Sequence, residues 1–189
     1  TLLLGAPGWK RNPLIRSLLR DFRHAESIRI LCAYFLPTGR VMRSIRRAAK
    51  RGARVQLVLG ARSDVALMLM ATHSLYRRLL KSGVEIYEYQ PQVLHAKLII
   101  VNGSVAYAGS ANLDVRSLHL NYELLMRVDD ARLAREAGEI FEGDLTHCRR
   151  IELADWLKTR SWWRRAADNF AYFLLARLDP FLASRSWRR

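Results

Sequence analysis

The alternation of short apolar runs with longer amphipathic segments is the feature that most constrains how this sequence folds. The apolar runs are rich in Ile, Leu and Val and cover residues 27–35, 55–59, 84–89, 93–101, 105–108 and 121–128. Helical periodicity separates the first three runs and returns after the last, at residues 131–146. Strands that alternate with helices in this way are typical of α/β domains. The sequence therefore predicts an α/β sandwich with a mixed, largely parallel central sheet flanked by helices.

Short local signals predict where some of these elements begin and turn. Thr38 and Ser63 are candidate N-caps, because each precedes a helical pattern and carries a hydroxyl that can accept a backbone N–H. The helix after Ser63 is expected to cover residues 64–82. Asn102 and Gly103 form a dipeptide that favours a tight hairpin turn, which predicts a reversal between the runs at 93–101 and 105–108.

Side chains suited to phosphate chemistry are concentrated between residues 95 and 123. In a strand over 93–101, His95 and Lys97 point to the same face, because side chains alternate between the faces of a strand. Ser110 and Asn112 add a hydroxyl and an amide that can donate hydrogen bonds to phosphoryl oxygens. Glu123 adds a carboxylate that can hold an imidazole in one tautomer. This set predicts a metal-free phosphoryl-transfer site, and no cofactor is expected.

The stretch HAKLIIVNGSVAYAGSANLDVRSLHLNYE, residues 95–123, resembles the H-x-K-x4-D-x6-G-S-x-N signature of the phospholipase D superfamily. With AYFLPTGRVMRSIRRAAKRG and SLYRRLLKSGVEIYEYQ upstream, it is most similar to the C-terminal catalytic half of bacterial cardiolipin synthases. The resemblance covers residues 26–147 closely. Asn102 stands where the signature has Asp, a position that the resemblance implies to be mainly a structural member of the turn.

The resemblance also implies a phospholipase D-like fold and a mechanism with two facing histidines, of which one attacks phosphorus and the other protonates the leaving alkoxide. It favours a general acid/base role for His95, and the nucleophilic role stays open. Lys97 and Asn112 are expected to hold the phosphate with help from Ser110, and Glu123 to orient the imidazole. Since the sequence carries one motif copy, the facing half is expected from a homodimer mate or from a missing N-terminal region.

The distribution of charge predicts anionic partners. The 32 basic residues outnumber the 17 acidic ones, with a net charge of +10 over residues 10–51, −1 over 52–148 and +6 over 149–189. Such a field favours anionic lipid surfaces or nucleic acid, and a solvated basic face without a partner is the alternative. With the resemblance, the expected partners are phospholipid substrates and an anionic membrane surface, and nucleic acid is the less favoured partner.

Residues 149–189 are predicted to form a basic, helical segment after a catalytic domain over residues 1–148. This segment holds four of the five tryptophans, Trp156, Trp162, Trp163 and Trp187, interleaved with arginines. That composition is typical of a helix at a membrane interface, and a helical hairpin packed on the domain is the alternative. No signal peptide and no apolar run of membrane-spanning length is visible. With the resemblance to bacterial cardiolipin synthases, the predicted location is peripheral, on the cytoplasmic side of the bacterial inner membrane.

The leading hypothesis for function is a phospholipid transphosphatidylase of the cardiolipin-synthase type. It would transfer a phosphatidyl group to phosphatidylglycerol or a similar alcohol through a phosphohistidine intermediate. One alternative is a metal-independent phosphodiesterase or nuclease that acts as a homodimer. The other is an inactive half-domain that serves assembly or lipid binding.

Overall fold

A central sheet organises the part of the chain that this computed structural model describes, residues 1–7 and 12–178. The strands are β1 (Leu2–Gly5), β2 (Ser27–Cys32), β3 (Phe35–Leu36), β4 (Arg54–Gly60), β5 (Glu85–Tyr89), β6 (Lys97–Val101), β7 (Val105–Gly109), β8 (Leu113–Asp114), β9 (Glu123–Asp129) and β10 (Cys148–Ile151). The helices are α1 (Pro13–Phe22), α2 (Gly39–Lys50), α3 (Ala66–Leu80), α4 (Val115–His119), α5 (Ala131–Leu145), α6 (Leu153–Thr159) and α7 (Trp162–Phe173). A π-helical turn, Leu174–Leu178, follows α7.

Eight strands form the main sheet in the order β1-β9-β7-β6-β2-β4-β5-β10, and β3 pairs with β8 beside it. The predicted α/β class and mixed sheet are confirmed, but the expectation of a largely parallel sheet is wrong. Only the pairings of β2 with β4 and of β4 with β5 are parallel in this sheet, and the other five described pairings are antiparallel. Helical crossovers precede β4 and β5, whereas a short turn joins β6 to β7 and forces the antiparallel arrangement.

The two faces of the sheet are covered by different helices. On one face Ile30 of β2 packs in a core that also contains Ile45 of α2 and Leu75 of α3, with residues of α1 and α7 in the same cluster. On the other face Ile100 of β6 packs in a cluster with Phe141 of α5. We call the side of α1, α2, α3 and α7 the helical side. Because both faces of the central strands are buried, the strand sequences are continuously apolar rather than alternating.

Several predicted boundaries differ from the structure, and three of the differences lie near the motif or at a predicted cap. The run at 27–35 ends as a strand at Cys32, and Phe35 belongs to the separate strand β3. The run at 93–101 becomes a strand only at Lys97. Helix α3 begins at Ala66 rather than at residue 64, and the hydroxyl of Ser63 accepts the N–H of Val65 within the preceding loop. The cap predicted at Thr38 is confirmed, since its side chain accepts the N–H of Val41.

The segment after residue 148 joins the same sheet and the same helical side. Strand β10 pairs antiparallel with β5 and crosses the predicted boundary at 148, and α7 packs against α3. The indole of Trp156 lies 4.6 Å from the ring of Tyr76, measured between centroids. The division of the chain at residue 148 stays a prediction, and Trp187 lies outside the described residues. Within residues 1–7 and 12–178, no helix combines the length and the apolar character that a bilayer crossing requires.

A buried polar network fixes this segment to the domain. Glu88 of β5 accepts hydrogen bonds from Arg149 at 2.8 Å and from the hydroxyl of Tyr76 at 3.3 Å, and it lies 3.5 Å from the imidazole of His73. Arg160 contacts the other ring nitrogen of His73 at 2.7 Å. Burial by itself raises the pKa of Glu88, but the hydrogen bonds from His73 and Arg149 outweigh it, and the pKa lies below its ordinary value. The carboxylate is therefore a charged anchor for Arg149 directly and for Arg160 through His73.

Gly109 is expected to be a position where alanine is not tolerated. A Cβ at this residue would collide with the backbone of Leu124 on the neighbouring strand, so β7 and β9 would have to separate. We expect Gly109→Ala to lower the free energy of unfolding by about 1–3 kcal/mol, as overpacking does elsewhere. Urea denaturation measures this change.

Gly143→Ala is the matched control, because Gly143 lies in α5 and its added Cβ would meet no described atom within 4 Å. Replacing glycine by alanine inside a helix stabilises by about 0.5–1 kcal/mol, so the control should raise the unfolding midpoint. Equal stability of the two variants would contradict the tight β7–β9 approach.

Candidate active site

The predicted site residues meet at one edge of the sheet because of the directions of its strands. The parallel strands β2 and β4 end there at Cys32 and Gly60. Strand β6 runs antiparallel to β2 with Lys97 opposite Cys32, so β6 begins where β2 ends. Strand β7 returns to the same edge at Gly109, and β9 leaves it from Glu123. We call this the site edge.

His95 and Lys97 form a direct pair at the site edge. His95 is exposed and precedes β6, so it is not a strand residue as predicted, although the carbonyl of Ala96 still accepts the N–H of Ala33 at 3.0 Å. The ammonium Nζ of Lys97 lies 2.8 Å from Nε2 of His95. An ammonium has no lone pair, so it donates and Nε2 accepts, which leaves the proton of the neutral imidazole on Nδ1. The sequence prediction that the two side chains lie together is confirmed.

Ser110 and Glu123 form the second part of the site. The hydroxyl of Ser110 donates a short hydrogen bond to Oε2 of Glu123 and accepts the N–H of Leu124 at 3.1 Å. The side-chain amide of Asn121 donates to Oε1 of the same carboxylate at 3.3 Å. Glu123 is buried, and these donors satisfy its charge. The carboxylate thus positions Ser110, while its predicted contact with the His95 imidazole stays a prediction.

Asn112 forms the floor of the site beside Cys32. Its Oδ1 lies 4.0 Å from Sγ of Cys32, and the N–H of Leu113 points at the same sulfur at 3.4 Å. With the carbonyl end of the amide turned to the thiol, the NH₂ end is the group that can donate to a phosphoryl oxygen. Burial raises the pKa of Cys32 to about 12, so this thiol stays protonated and serves as packing.

Tyr34 and Asp64 form a pair at the site edge that sequence reasoning did not single out. The Tyr34 hydroxyl donates to Oδ1 of Asp64 at 2.5 Å. This hydrogen bond, together with partial burial, raises the pKa of Tyr34 to about 12. Tyr34 follows β2 and Asp64 follows β4, and the ends of these adjacent parallel strands are where side chains from two loops come together. That placement is the signal that could have found the pair.

Helix α4 begins at the site edge with a buried cap. Oδ1 of Asp114 accepts the N–H of Ser117 at 2.9 Å, and its Oδ2 accepts the Ser117 hydroxyl at 3.1 Å. Burial raises the pKa of Asp114 above its ordinary value despite these bonds. At the other end of the helix, burial and the nearby charge of Arg40 lower the pKa of His119. Helix α4 thus runs from the site edge at Asp114 to the first turn of α2, where Arg40 lies near His119.

Asn102 lies at the opposite end of β6 from the site. Strand β6 separates it from Lys97 by five residues, or about 16 Å at the usual rise of a strand. Its Oδ1 accepts the N–H groups of Glu26 and Ser27 at 2.9 and 3.1 Å, and its φ of 53° is left-handed. Only an acceptor oxygen is used in these contacts, and Asn and Asp both supply one. The geometry agrees with the structural role that the resemblance implies for this position.

Comparison with known proteins identifies a family model and curated relatives whose matched regions include the candidate active site. The family model described as "Cardiolipin synthase, PLD-like domain" matches residues 18–145. Cardiolipin synthase A of Cronobacter sakazakii is 30% identical over 172 residues, which cover 90% of this chain and 35% of that protein. Cardiolipin synthase A of Klebsiella pneumoniae has the same identity and coverage. The chain therefore spans about a third of the length of these curated relatives.

Solved structures share the fold. Nuc of Salmonella typhimurium, a phospholipase D family member, superposes with a TM-score of 0.67 at 21% identity over 80% of this chain and 98% of that chain. Phosphatidylserine synthase of Haemophilus influenzae superposes with a TM-score of 0.74 at 13% identity over 96% of this chain and 46% of that chain. At these identities the likeness concerns the fold.

Replacing Asn102 separates a structural from a catalytic role at this position. We expect Asn102→Asp to leave turnover unchanged, because the carboxylate offers the same acceptor to Glu26 and Ser27 at a point remote from His95. Asn102→Ala removes the acceptor and places alanine at a left-handed φ, which should cost about 1–2 kcal/mol of unfolding free energy. Two measurements on the same preparations test both statements: thermal unfolding, and the initial rate of phosphatidyl transfer, the reaction that the resemblance implies. A marked rise in the rate of Asn102→Asp would contradict the turn assignment.

Proposed function

The chain belongs to the phospholipase D superfamily, in the family of phospholipase D-like domains of cardiolipin synthase, and on this basis we propose that it is half of a phospholipid transphosphatidylase. The reaction is the transfer of a phosphatidyl group from one phospholipid to the hydroxyl of phosphatidylglycerol or a similar alcohol. The observation that carries the proposal is the 2.8 Å pair of His95 and Lys97 at the edge where Ser110 and Asn112 also lie.

In the proposed reaction the first step forms a phosphohistidine. An imidazole nitrogen attacks phosphorus, a P–N bond forms, and the P–O bond to the headgroup alcohol breaks. A second histidine protonates the leaving alkoxide. In the second step that histidine takes the proton of the acceptor hydroxyl, whose oxygen attacks phosphorus, and the P–N bond breaks to release the imidazole. His95 supplies one of the two histidines, and the likeness to a second catalytic half favours the acid/base role.

The other polar groups are proposed to bind the non-bridging phosphoryl oxygens. The ammonium of Lys97, the amide of Asn112 and the hydroxyl of Ser110 can each donate a hydrogen bond to them, which stabilises the charge that builds up in the transition state. Lys97 donates to Nε2 of His95 in the structure. A phosphoryl oxygen that takes over this ammonium would free the lone pair of Nε2 for attack or for accepting a proton. Glu123 is proposed to act through Ser110, which it holds in place.

A second motif copy is needed for this mechanism, and the proposal places it outside this chain. The curated relatives are about three times as long as the part that this chain covers, which supports a half supplied by another region of a longer protein. A second copy of the chain related by a two-fold axis is the other source. The proposed place of work is the cytoplasmic face of a bacterial inner membrane, with the domain bound peripherally to anionic lipid.

Replacing His95 tests the proposal directly. We expect His95→Ala to lower the conversion of phosphatidylglycerol to cardiolipin by at least about 10²-fold, because general acid or base groups contribute that much or more. The assay uses labelled phosphatidylglycerol in mixed micelles, with the oligomeric state recorded on the same fractions. His24→Ala is the matched control, since His24 is also exposed but follows α1 at the end away from the site edge. It should retain full turnover and the same unfolding midpoint as His95→Ala.

The same preparations distinguish the alternative functions. Cleavage of plasmid DNA in EDTA, lost in His95→Ala, together with no cardiolipin formation would replace the proposal with a nuclease. Turnover of His95→Ala at the unmodified rate would remove His95 from the mechanism. An inactive chain that becomes active only when the first half of a longer relative is added would place the missing histidine in that half.

A further inference from the structure

The charges of the helices differ sharply between the two faces of the sheet. Helix α2, on the helical side, carries four arginines and one lysine and no acidic residue. Helix α5, on the opposite face, carries two arginines against three glutamates and one aspartate. The described part of the chain therefore presents a basic face and an acidic face rather than a uniform positive surface. An anionic partner would meet the basic face first.

The groove between α1 and α2 concentrates this charge. A cavity of about 370 Å³ lies between the two helices, and its lining residues are Leu19, Arg23, Arg40, Arg43, Ser44, Arg47 and Arg51. We call it the arginine groove. Five of these residues are arginines, of which Arg51 also donates to the carbonyl of Phe22 at 3.2 Å, and no acidic residue is among the described lining. The groove therefore brings like charges together, and an anion that binds there would relieve their repulsion.

The arginine groove continues along α1 and α2 toward the site edge. A neighbouring cavity of about 440 Å³ shares Arg40 and Arg43 with it and adds Arg16, Thr38 and His119. Thr38 caps α2, which starts shortly after β2 has ended at the site edge, and His119 ends the helix that follows the motif. The arginines thus lead from the neighbourhood of the candidate active site along the surface of α1 and α2.

We infer that the arginine groove binds the phosphate groups of anionic phospholipids at a membrane surface, at a site separate from the reacting phosphate. Guanidinium forks match phosphate oxygens in shape and charge, and a cluster of several arginines can hold more than one phosphate. The inference deepens the proposed function by naming the surface that holds the domain at its substrate. It rests on that function for the choice of lipid as partner.

The outer face of α7 favours lipid over nucleic acid. Trp162, Trp163, Phe170 and Phe173 are exposed by 62, 67, 62 and 54% of their surface, whereas Asp168 and Ala171 face the protein. Exposed tryptophan and phenylalanine on a helix with flanking arginines suit the headgroup region of a bilayer. Helix α7 packs on α3, which puts these rings on the same side of the sheet as the arginine groove. The described lining of the groove itself holds no aromatic ring on which a nucleic acid base could stack.

Vesicle binding of charge-reversal variants tests the inference. The double variant Arg43→Glu, Arg47→Glu changes two exposed groove residues, and it is compared with Arg132→Glu, Arg135→Glu on α5, which makes the same change of net charge on the opposite face. All proteins also carry His95→Ala, so that vesicle composition stays constant. We expect the groove variant to bind phosphatidylglycerol vesicles at least about tenfold more weakly, because each basic residue near an anionic surface contributes substantially to binding. The α5 variant should change less than twofold.

A second readout locates the bound protein. Brominated phosphatidylglycerol quenches tryptophan emission on contact, so we expect quenching in the parent protein and its loss in Trp162→Phe, Trp163→Phe. The milder pair Arg43→Gln, Arg47→Gln keeps the test valid if charge reversal prevents folding, and it should weaken vesicle binding by a smaller factor in the same direction.

Four outcomes would overturn the inference. Equal loss of binding in the groove and α5 variants would mean that net charge alone acts. Full competition by inorganic phosphate at constant ionic strength would indicate a site for a free anion. Loss of duplex DNA binding with unchanged vesicle binding would assign the groove to nucleic acid, and a change of oligomeric state would assign it to a subunit contact. Because every protein in the vesicle test carries His95→Ala, its outcome does not depend on turnover, which separates this test from that of the proposed function.

Discussion

The direction of β6 in the sheet is the constraint on which the candidate site depends. Because β6 runs antiparallel between β2 and β7, its first residue, Lys97, lies where the parallel strands end. A parallel β6 would carry Asn102 to the site edge instead. The reversal after β6 is built from Asn102 and Gly103, both with positive φ, and the buried side chains on both faces of the strand fix its register.

The sequence predicts the fold class from local patterns, and it predicts one site from the concentration of motif residues between 95 and 123 and from the family resemblance. It does not predict strand direction, since the pairing of β2 with β6 joins residues far apart in the chain. The apolar spacing around Val93 indicated a strand through His95, but Val93 is exposed in a loop and the ladder starts at Lys97. The Tyr34–Asp64 pair and the Glu88 network were equally hidden, because each joins side chains that only the folded sheet brings together.

The polar groups of the candidate active site form hydrogen bonds with one another before any ligand binds. Lys97 is held by His95, and Ser110 is held by the buried carboxylate of Glu123. An entering phosphoryl group therefore exchanges existing hydrogen bonds for new ones, and the site costs the fold no unpaired buried polar group among the described residues. The tight β7–β9 approach at Gly109 places Ser110 opposite Leu124 and next to Glu123, so the backbone of the sheet itself preorganises the Ser110–Glu123 pair.

An ion pair between Asp21 of α1 and Arg127 of β9 fixes the helix to the sheet. Asp21 of α1 accepts hydrogen bonds from Arg127 at 2.7 Å and from the buried Tyr107 hydroxyl at 2.5 Å, which ties the helix to β7 and β9. The pKa of Arg127 is raised as a result, chiefly by this carboxylate. The arginine groove is on the other flank of the same helix, and in the described structure Arg40, Arg43 and Arg47 there have no ion-pair partner. Arg127 is thus neutralised by a carboxylate, whereas the arginines of the groove repel one another. An anionic surface that binds at the groove would cancel this repulsion.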